Sequence, residues 1–257
     1  MGTNKGSDYE KLIKSSIDQK TLSQMDNQSS DLIKKLFPKY EQLKGKIFYC
    51  FKEEGLGIER KTDLIIKAGD QLVNISVKGG NSGHSIHQEK LTDFISFIDE
   101  IEPLNSFNRN LILKFHWCDG TLDNTGEIYE RKGIAKYKKL FSKEYEDYCK
   151  YFSSVKDYIF ERVVLGKMSP PSFLVYVTDT NSFHARSMEE VNKLHLDKKS
   201  PWGLFSFQNC WACLQGQDHG HESHICDSSC PKIKPKSKKH RLDIQFKWGK
   251  VYRDLFE

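Results

Sequence analysis

A short stretch of this chain gathers residue types that can act on a phosphate group. Asp63 stands at the head of one apolar run, TDLIIK, and Lys78 at the end of the next, QLVNISVK, with Ala68-Gly69-Asp70 as a turn between them. If the two runs form a hairpin, both side chains project from the same end of a sheet. Glu89 follows, at the expected opening of a helix. Two carboxylates converging there can chelate a hard divalent cation through oxygen, and an ammonium beside them can orient an attacking water. Each residue also has an ordinary reading: a strand-edge turn residue, a solvated lysine, a first-turn acid favoured by the helix dipole. The run GGNSGHSIHQE, from Gly79 to Glu89, favours the chemical one. Glycine-rich polar backbone ahead of a helix N-terminus lets a phosphate come close, which a plain connector would not need. His84, with His87 and Gln88, is a candidate phosphate contact in that loop, against the commoner role of a surface histidine.

The elements that must hold these residues follow from periodicity. Tyr9, Leu12, Ile13 and Ile17 are spaced for an amphipathic helix, and a second helix is expected from a Ser29-Ser30-Asp31 cap through Leu32, Ile33, Leu36 and Phe37 to Pro38. KIFYCF, TDLIIK and QLVNISVK read as a meander of antiparallel strands. A helix from Gln88 to Ile101 would carry Leu91, Phe94, Ile95 and Ile98 on one stripe, and NLILKFHW reads as a further strand. Asp119-Gly120 after it reads as a turn. Further on come charged helices over 132–153 and 155–165, a strand SFLVYVTD, a helix from Ser187 to Leu196 and a closing strand LDIQFKW. The expectation is an α/β protein with a mixed central sheet flanked by helices. It would form one domain over 1–257, with a core of about 7–117 and an elaboration of about 130–205.

The Asp63, Ser76-Val77-Lys78 and Glu89 set resembles the PD-(D/E)XK nuclease superfamily, which includes the type II restriction endonucleases. Thr62-Asp63 stands where that family has Pro-Asp, and Ser76-Val77-Lys78 where it has an acidic residue, any residue and lysine. One restriction-enzyme branch also has serine there and recruits a glutamate from the following helix, which Glu89 resembles. The resemblance covers roughly Ser7 to Trp117. It implies a restriction-endonuclease-like core and hydrolysis of phosphodiester bonds in double-stranded DNA. It further implies magnesium held by Asp63 and Glu89, Lys78 at the nucleophile, and Glu10 as an added acid from the early helix. A homodimer is compatible with it.

Near the C-terminus, Cys210-x2-Cys213 and Cys226-x3-Cys230 give two thiolate pairs at spacings suited to tetrahedral zinc. His219, His221 and His224 lie in the loop between them, so mixed ligand sets stay open. Such an insertion, about 207–232, is too polar to bury a core, and a structural zinc would substitute for burial. The basic run after it places Lys236, Lys238, Lys239 and Arg241 where they could neutralise DNA phosphates or merely be solvated. A zinc-containing nucleic-acid-binding protein without catalysis is the competing reading. An HNH-type nuclease on the histidine-rich segment is a third, though no following asparagine and histidine stand at convincing spacing.

With 37% hydrophobic and 29% charged residues the chain is composed like a globular protein. Its formal charge of +5 permits a polyanionic partner without demanding one. No run of some 20 apolar residues is present to span a membrane. The start, MGTNKGSDYEK, has no apolar signal core. Clustered rather than evenly spread cysteines fit a reducing compartment. The cytoplasm is therefore the expected location.

Overall fold

The computed structural model describes residues 5–52, 61–79, 85–117, 120–123, 125, 137, 139–166, 169–178, 180–196, 214–217 and 243–247. Their contacts group the chain into two compact units. The first takes the described residues of Met1–His84 and Phe160–Leu204, the second those of Ser85–Ile159 and Phe205–Trp248.

The first unit is built on a five-stranded sheet. Strands β1 (Phe48–Lys52), β2 (Leu64–Ala68) and β3 (Gln71–Gly79) form the antiparallel meander expected from the sequence. Gly69, at φ +58, supplies the left-handed backbone that the tight β2–β3 turn requires. β3 then pairs in parallel with β5 (Phe173–Val177), which pairs antiparallel with the edge strand β6 (Phe183–Ser187), giving the order β1-β2-β3-β5-β6. β6 was not anticipated: FHARS has no apolar run of its own, and its pairing with β5 is what makes it a strand.

Helices α1 (Lys5–Ile17) and α2 (Asn27–Leu36) belong to the same unit. Ile13, Ile17, Leu32, Ile33 and Leu36 are buried with Phe48, Cys50, Leu64, Ile66, Val73, Ile75, Val77, Val175 and Val177 in one core. Alternate strand positions supply that core, which leaves Asp63, Ser76 and Lys78 on the other face. α2 starts earlier than expected because Asp26, and not the serines, caps it: its carboxylate accepts from the Ser29 amide at 2.7 Å. Ser29 is itself buried inside the helix. In the same unit α6 (Met188–Leu196) follows β6. It opens on a reciprocal cap, with the Ser187 amide donating to Glu190 at 2.8 Å and the Glu190 amide to the Ser187 hydroxyl at 3.1 Å.

The second unit carries a three-stranded antiparallel sheet ordered β4-β8-β7, from Ser85–Lys90, Asp243–Lys247 and Leu214–Gln217. α3 (Leu91–Ile101), α4 (Ser106–Trp117) and α5 (Ser142–Phe160) belong to the same unit and share aromatic contacts, Phe115 with Tyr148 at 5.0 Å among them. Phe94 meets Phe246 edge-on at 5.5 Å and stacks on Phe152 at 6.1 Å.

Three expectations change here. The segment NLILKFHW is helical, and its buried residues Leu111, Ile112, Phe115 and His116 recur at helical intervals. Glu89 does not open a helix: it lies in β4, paired across from Ile244, and α3 begins at Leu91. The helices expected on either side of residue 154 are one, Ser142–Phe160, running on into a π-helical turn at Glu161–Leu165. Among the described residues no helix is long and apolar enough to cross a membrane. Cys210, Cys213, Cys226, Cys230, His84, Lys236, Lys238, Lys239 and Arg241 lie outside the described residues.

Candidate active site

The β2–β3 register brings Asp63 beside Ser76, because the Asp63 amide donates to the Ile75 carbonyl at 2.8 Å as Leu64 pairs with Ile75. One oxygen of Asp63, Oδ2, collects three donors: the Ser76 hydroxyl at 2.9 Å, the Val77 amide at 2.6 Å and Lys78 Nζ at 3.3 Å. Lys78 Nζ donates in turn to Ser76 Oγ at 2.8 Å and to the Val77 carbonyl at 3.1 Å. Its three N–H bonds thus meet three acceptors, and the contact to Asp63 is the longest. Ser76 is 2% exposed, whereas the side chains of Asp63 and Lys78 keep 29% and 21% of their surface. A buried hydroxyl therefore ties together two charged groups that face solvent.

Thr62, standing where proline was noted as usual, has a role that proline could not fill. Its amide donates to the Ser169 carbonyl at 3.2 Å and its hydroxyl to the same oxygen at 3.0 Å, fixing the approach to Asp63. Glu10 pairs with Lys52 Nζ at 2.5 Å, and Lys52 stands across from Leu64, the neighbour of Asp63. Tyr9, just before Glu10, lies against Gly79, just after Lys78. The Val77 amide and the Tyr9–Gly79 contact were not legible in the side-chain pattern. Glu89 belongs to the second unit, where its side chain has no exposed surface and stands 3.4 Å from His87 Nε2. His87 also stacks on Phe246 at 5.9 Å.

Asp63 Oδ1 has no hydrogen bond among the described residues. Magnesium, a hard cation that keeps several waters and takes one or two carboxylates plus phosphate oxygens, fits such a half-engaged acid. Among the described residues no group of three or more His, Cys, Asp or Glu forms a complete protein shell for a metal.

No protein-family model matches the chain, and no curated protein matches it. In structure it is similar to the restriction endonuclease MspI, solved in complex with its cognate DNA, at a TM-score of 0.51 and 14% identity, over 94% of this chain and 88% of that one. The fold is restriction-endonuclease-like. At that identity the likeness is one of backbone, and the roles of Asp63, Ser76 and Lys78 rest on their own geometry.

Proposed function

We propose that the chain is a divalent-metal-dependent DNA endonuclease, a type II restriction endonuclease or a related bacterial defence nuclease. The observation that carries this reading is the Asp63–Ser76–Lys78 cluster at the end of the β2–β3 hairpin, in a chain whose fold is similar to that of an enzyme solved with its DNA.

Asp63 would hold magnesium through Oδ1 while the Ser76 hydroxyl, the Val77 amide and Lys78 fix the other oxygen. Magnesium, when bound, supplies Lewis acidity at the phosphoryl oxygens and lowers the pKa of water. Lys78 would exchange its long contact to Asp63 for the attacking water or a phosphate oxygen, and Ser76 would keep the ammonium aimed. Glu10 and Glu89 are the two carboxylates proposed to complete the site. Cys210, Cys213, Cys226 and Cys230 are proposed on their spacing to hold a structural zinc, and Lys236, Lys238, Lys239, Arg241 and His84 to contact DNA.

The test is plasmid DNA incubated with purified chain, with and without magnesium. Wild type should cut only with the metal, and Asp63→Ala should abolish cutting while folding and DNA binding persist. Cutting by Asp63→Ala would reject the assignment. Binding without scission in any divalent metal would return the protein to the non-catalytic reading. Glu10→Gln and Glu89→Gln, which keep side-chain volume, identify the second carboxylate by which of them loses cutting.

A further inference from the structure

The sheet face that carries Asp63 and Lys78 continues, toward β1, as an open apolar surface. Strand pairing sets Tyr49 across from Lys67 and Lys67 across from Leu72, so these three form one row on it. The next row is Phe51, Ile65 and Asn74, and the one after holds Asp63 and Ser76. Phe48, Cys50, Leu64, Ile66 and Val73 alternate with them and point into the core, which fixes the face. Tyr49 is 47% exposed, Phe51 39% and Leu72 58%, whereas Leu174 and Tyr176, paired with Ser76 and Lys78, are buried.

The geometry narrows what can lie on this surface. A strand from another chain cannot extend the sheet here, because the outward edge of β1 is taken. The Phe48 amide donates to the Lys20 carbonyl at 2.9 Å, the Gln19 amide to the Phe48 carbonyl at 2.8 Å and the Cys50 amide to Asp18 Oδ1 at 2.9 Å. The open parts of Tyr49, Phe51 and Leu72 come to about 300 Å², at roughly 200 Å² for a whole large side chain. Each partner in a stable protein interface brings roughly 800 Å². Two rings two residues apart on one strand stand about 6.7 Å from each other. Bases stacked in a duplex, at about 3.4 Å, cannot each meet one of them, whereas the splayed bases of a stretched single strand can. Lys67, between Tyr49 and Leu72, is exposed and makes no hydrogen bond or ion pair among the described residues, which leaves its ammonium to a phosphate.

We propose that Tyr49 and Phe51 are a stacking platform for unpaired bases of a DNA strand whose backbone runs on past Asp63 and Lys78. Phe51 lies one strand and two residues from Asp63, about 8 Å, so the base it holds is one or two nucleotides from the bond to be cut. The substrate class is thus single-stranded or locally opened DNA. This choice of ligand rests on the nuclease reading, but the platform is tested apart from it.

Binding of one short oligonucleotide, as a single strand and as a duplex, is measured without divalent cation for wild type, Tyr49→Leu/Phe51→Leu and Tyr158→Leu. Leucine keeps the apolar cover but has no ring face, and Tyr158, on α5, is 50% exposed and serves as the control. In parallel, a single strand carrying photoreactive 5-iodouracil is cross-linked to wild type, the joined peptide is read by mass spectrometry, and each protein is sedimented.

The double variant should bind the single strand about tenfold more weakly, with duplex affinity within about twofold of wild type and Tyr158→Leu unchanged. The cross-link should fall on Tyr49 or Phe51. A double variant that keeps single-strand affinity overturns the platform, as does an equal loss in Tyr158→Leu or a cross-link confined to other residues. A dimeric wild type beside a monomeric double variant would assign the face to a second copy of the chain and overturn it too. Should wild type bind the single strand through these rings yet cut no DNA with magnesium, the nuclease reading falls and the platform stands.

Discussion

Gly79 ends β3 directly after Lys78, and a Cβ built there would lie 2.3 and 2.4 Å from two carbons of the Tyr9 ring. Carbon atoms in contact rest at about 3.5 Å or more, so Gly79→Ala must find roughly 1.2 Å of room. If α1 gives way, its buried residues Ile13 and Ile17 lose packing against the sheet. If the strand end gives way, Lys78 shifts from its 2.8 Å bond to Ser76. Overpacking of this kind costs about 1–3 kcal/mol. A misplacement near 1 Å at a reacting group can cost on the order of 100-fold in rate. The variant should therefore fold with a lower melting midpoint, by about 2–4 °C for each kcal/mol, and cut DNA roughly 10- to 100-fold more slowly with little change in DNA affinity. Adding Tyr9→Ala removes the obstacle, so the double-mutant cycle should show a coupling of about 1 kcal/mol or more. A Gly79→Ala protein as stable and as active as wild type would refute the close approach and the positioning argument with it.

Ser76→Ala removes the bridge between Asp63 and Lys78 but leaves Asp63 the Val77 amide and the Lys78 ammonium, so single-turnover cutting should fall less than about tenfold with DNA affinity unchanged. A loss as deep as that of Asp63→Ala would make the serine itself part of the chemistry. Burial, aided by the nearby Asp18 carboxylate, pushes the Cys50 thiol from its ordinary 9.0 up to about 12. The fold favours the neutral thiol, so this contribution to stability is complete below about pH 9 and fades as pH rises toward about 12. Iodoacetamide at pH 8 should leave Cys50 unmodified in native protein and alkylate it after unfolding, as read by mass spectrometry. Elemental analysis of purified chain should find about one zinc, and Cys210→Ser or Cys226→Ser should lower both zinc content and melting midpoint. Folded, metal-free protein would count against that site.

The Asp63–Ser76–Lys78 cluster was legible where residue type and local pairing coincide. Asp63, Ser76 and Lys78 lie on adjacent strands joined by a tight turn, so their meeting needs only the hairpin register. Glu89 was misplaced because its extended backbone is held by Ile244, far along the chain, and no local pattern announces such a partner. NLILKFHW was misread because Leu111, Ile112, Phe115 and Trp117 satisfy a short apolar strand as readily as a helix stripe, and only packing decides between them. The α2 cap went to Asp26 because DNQSSD offers several capping residues within one helical turn. Glu10, expected as an added acid from the early helix, is seen in an ion pair with Lys52, a partner that the helix pattern could not supply.

The parallel pairing of β3 with β5 has a consequence for how the protein is made. β3 ends at Gly79 and its neighbour begins at Phe173, so most of the second unit is synthesised before the strand bearing Lys78 gains its second partner. At roughly 5–20 residues per second that interval lasts on the order of 5–20 s on the ribosome. During it β3 is an unpaired edge rich in Val and Ile, the kind of surface that joins other chains unless guarded. Slowing translation between the codons for Gly79 and Phe173 should therefore lower the soluble yield, whereas the same delay placed after Ser187 should not.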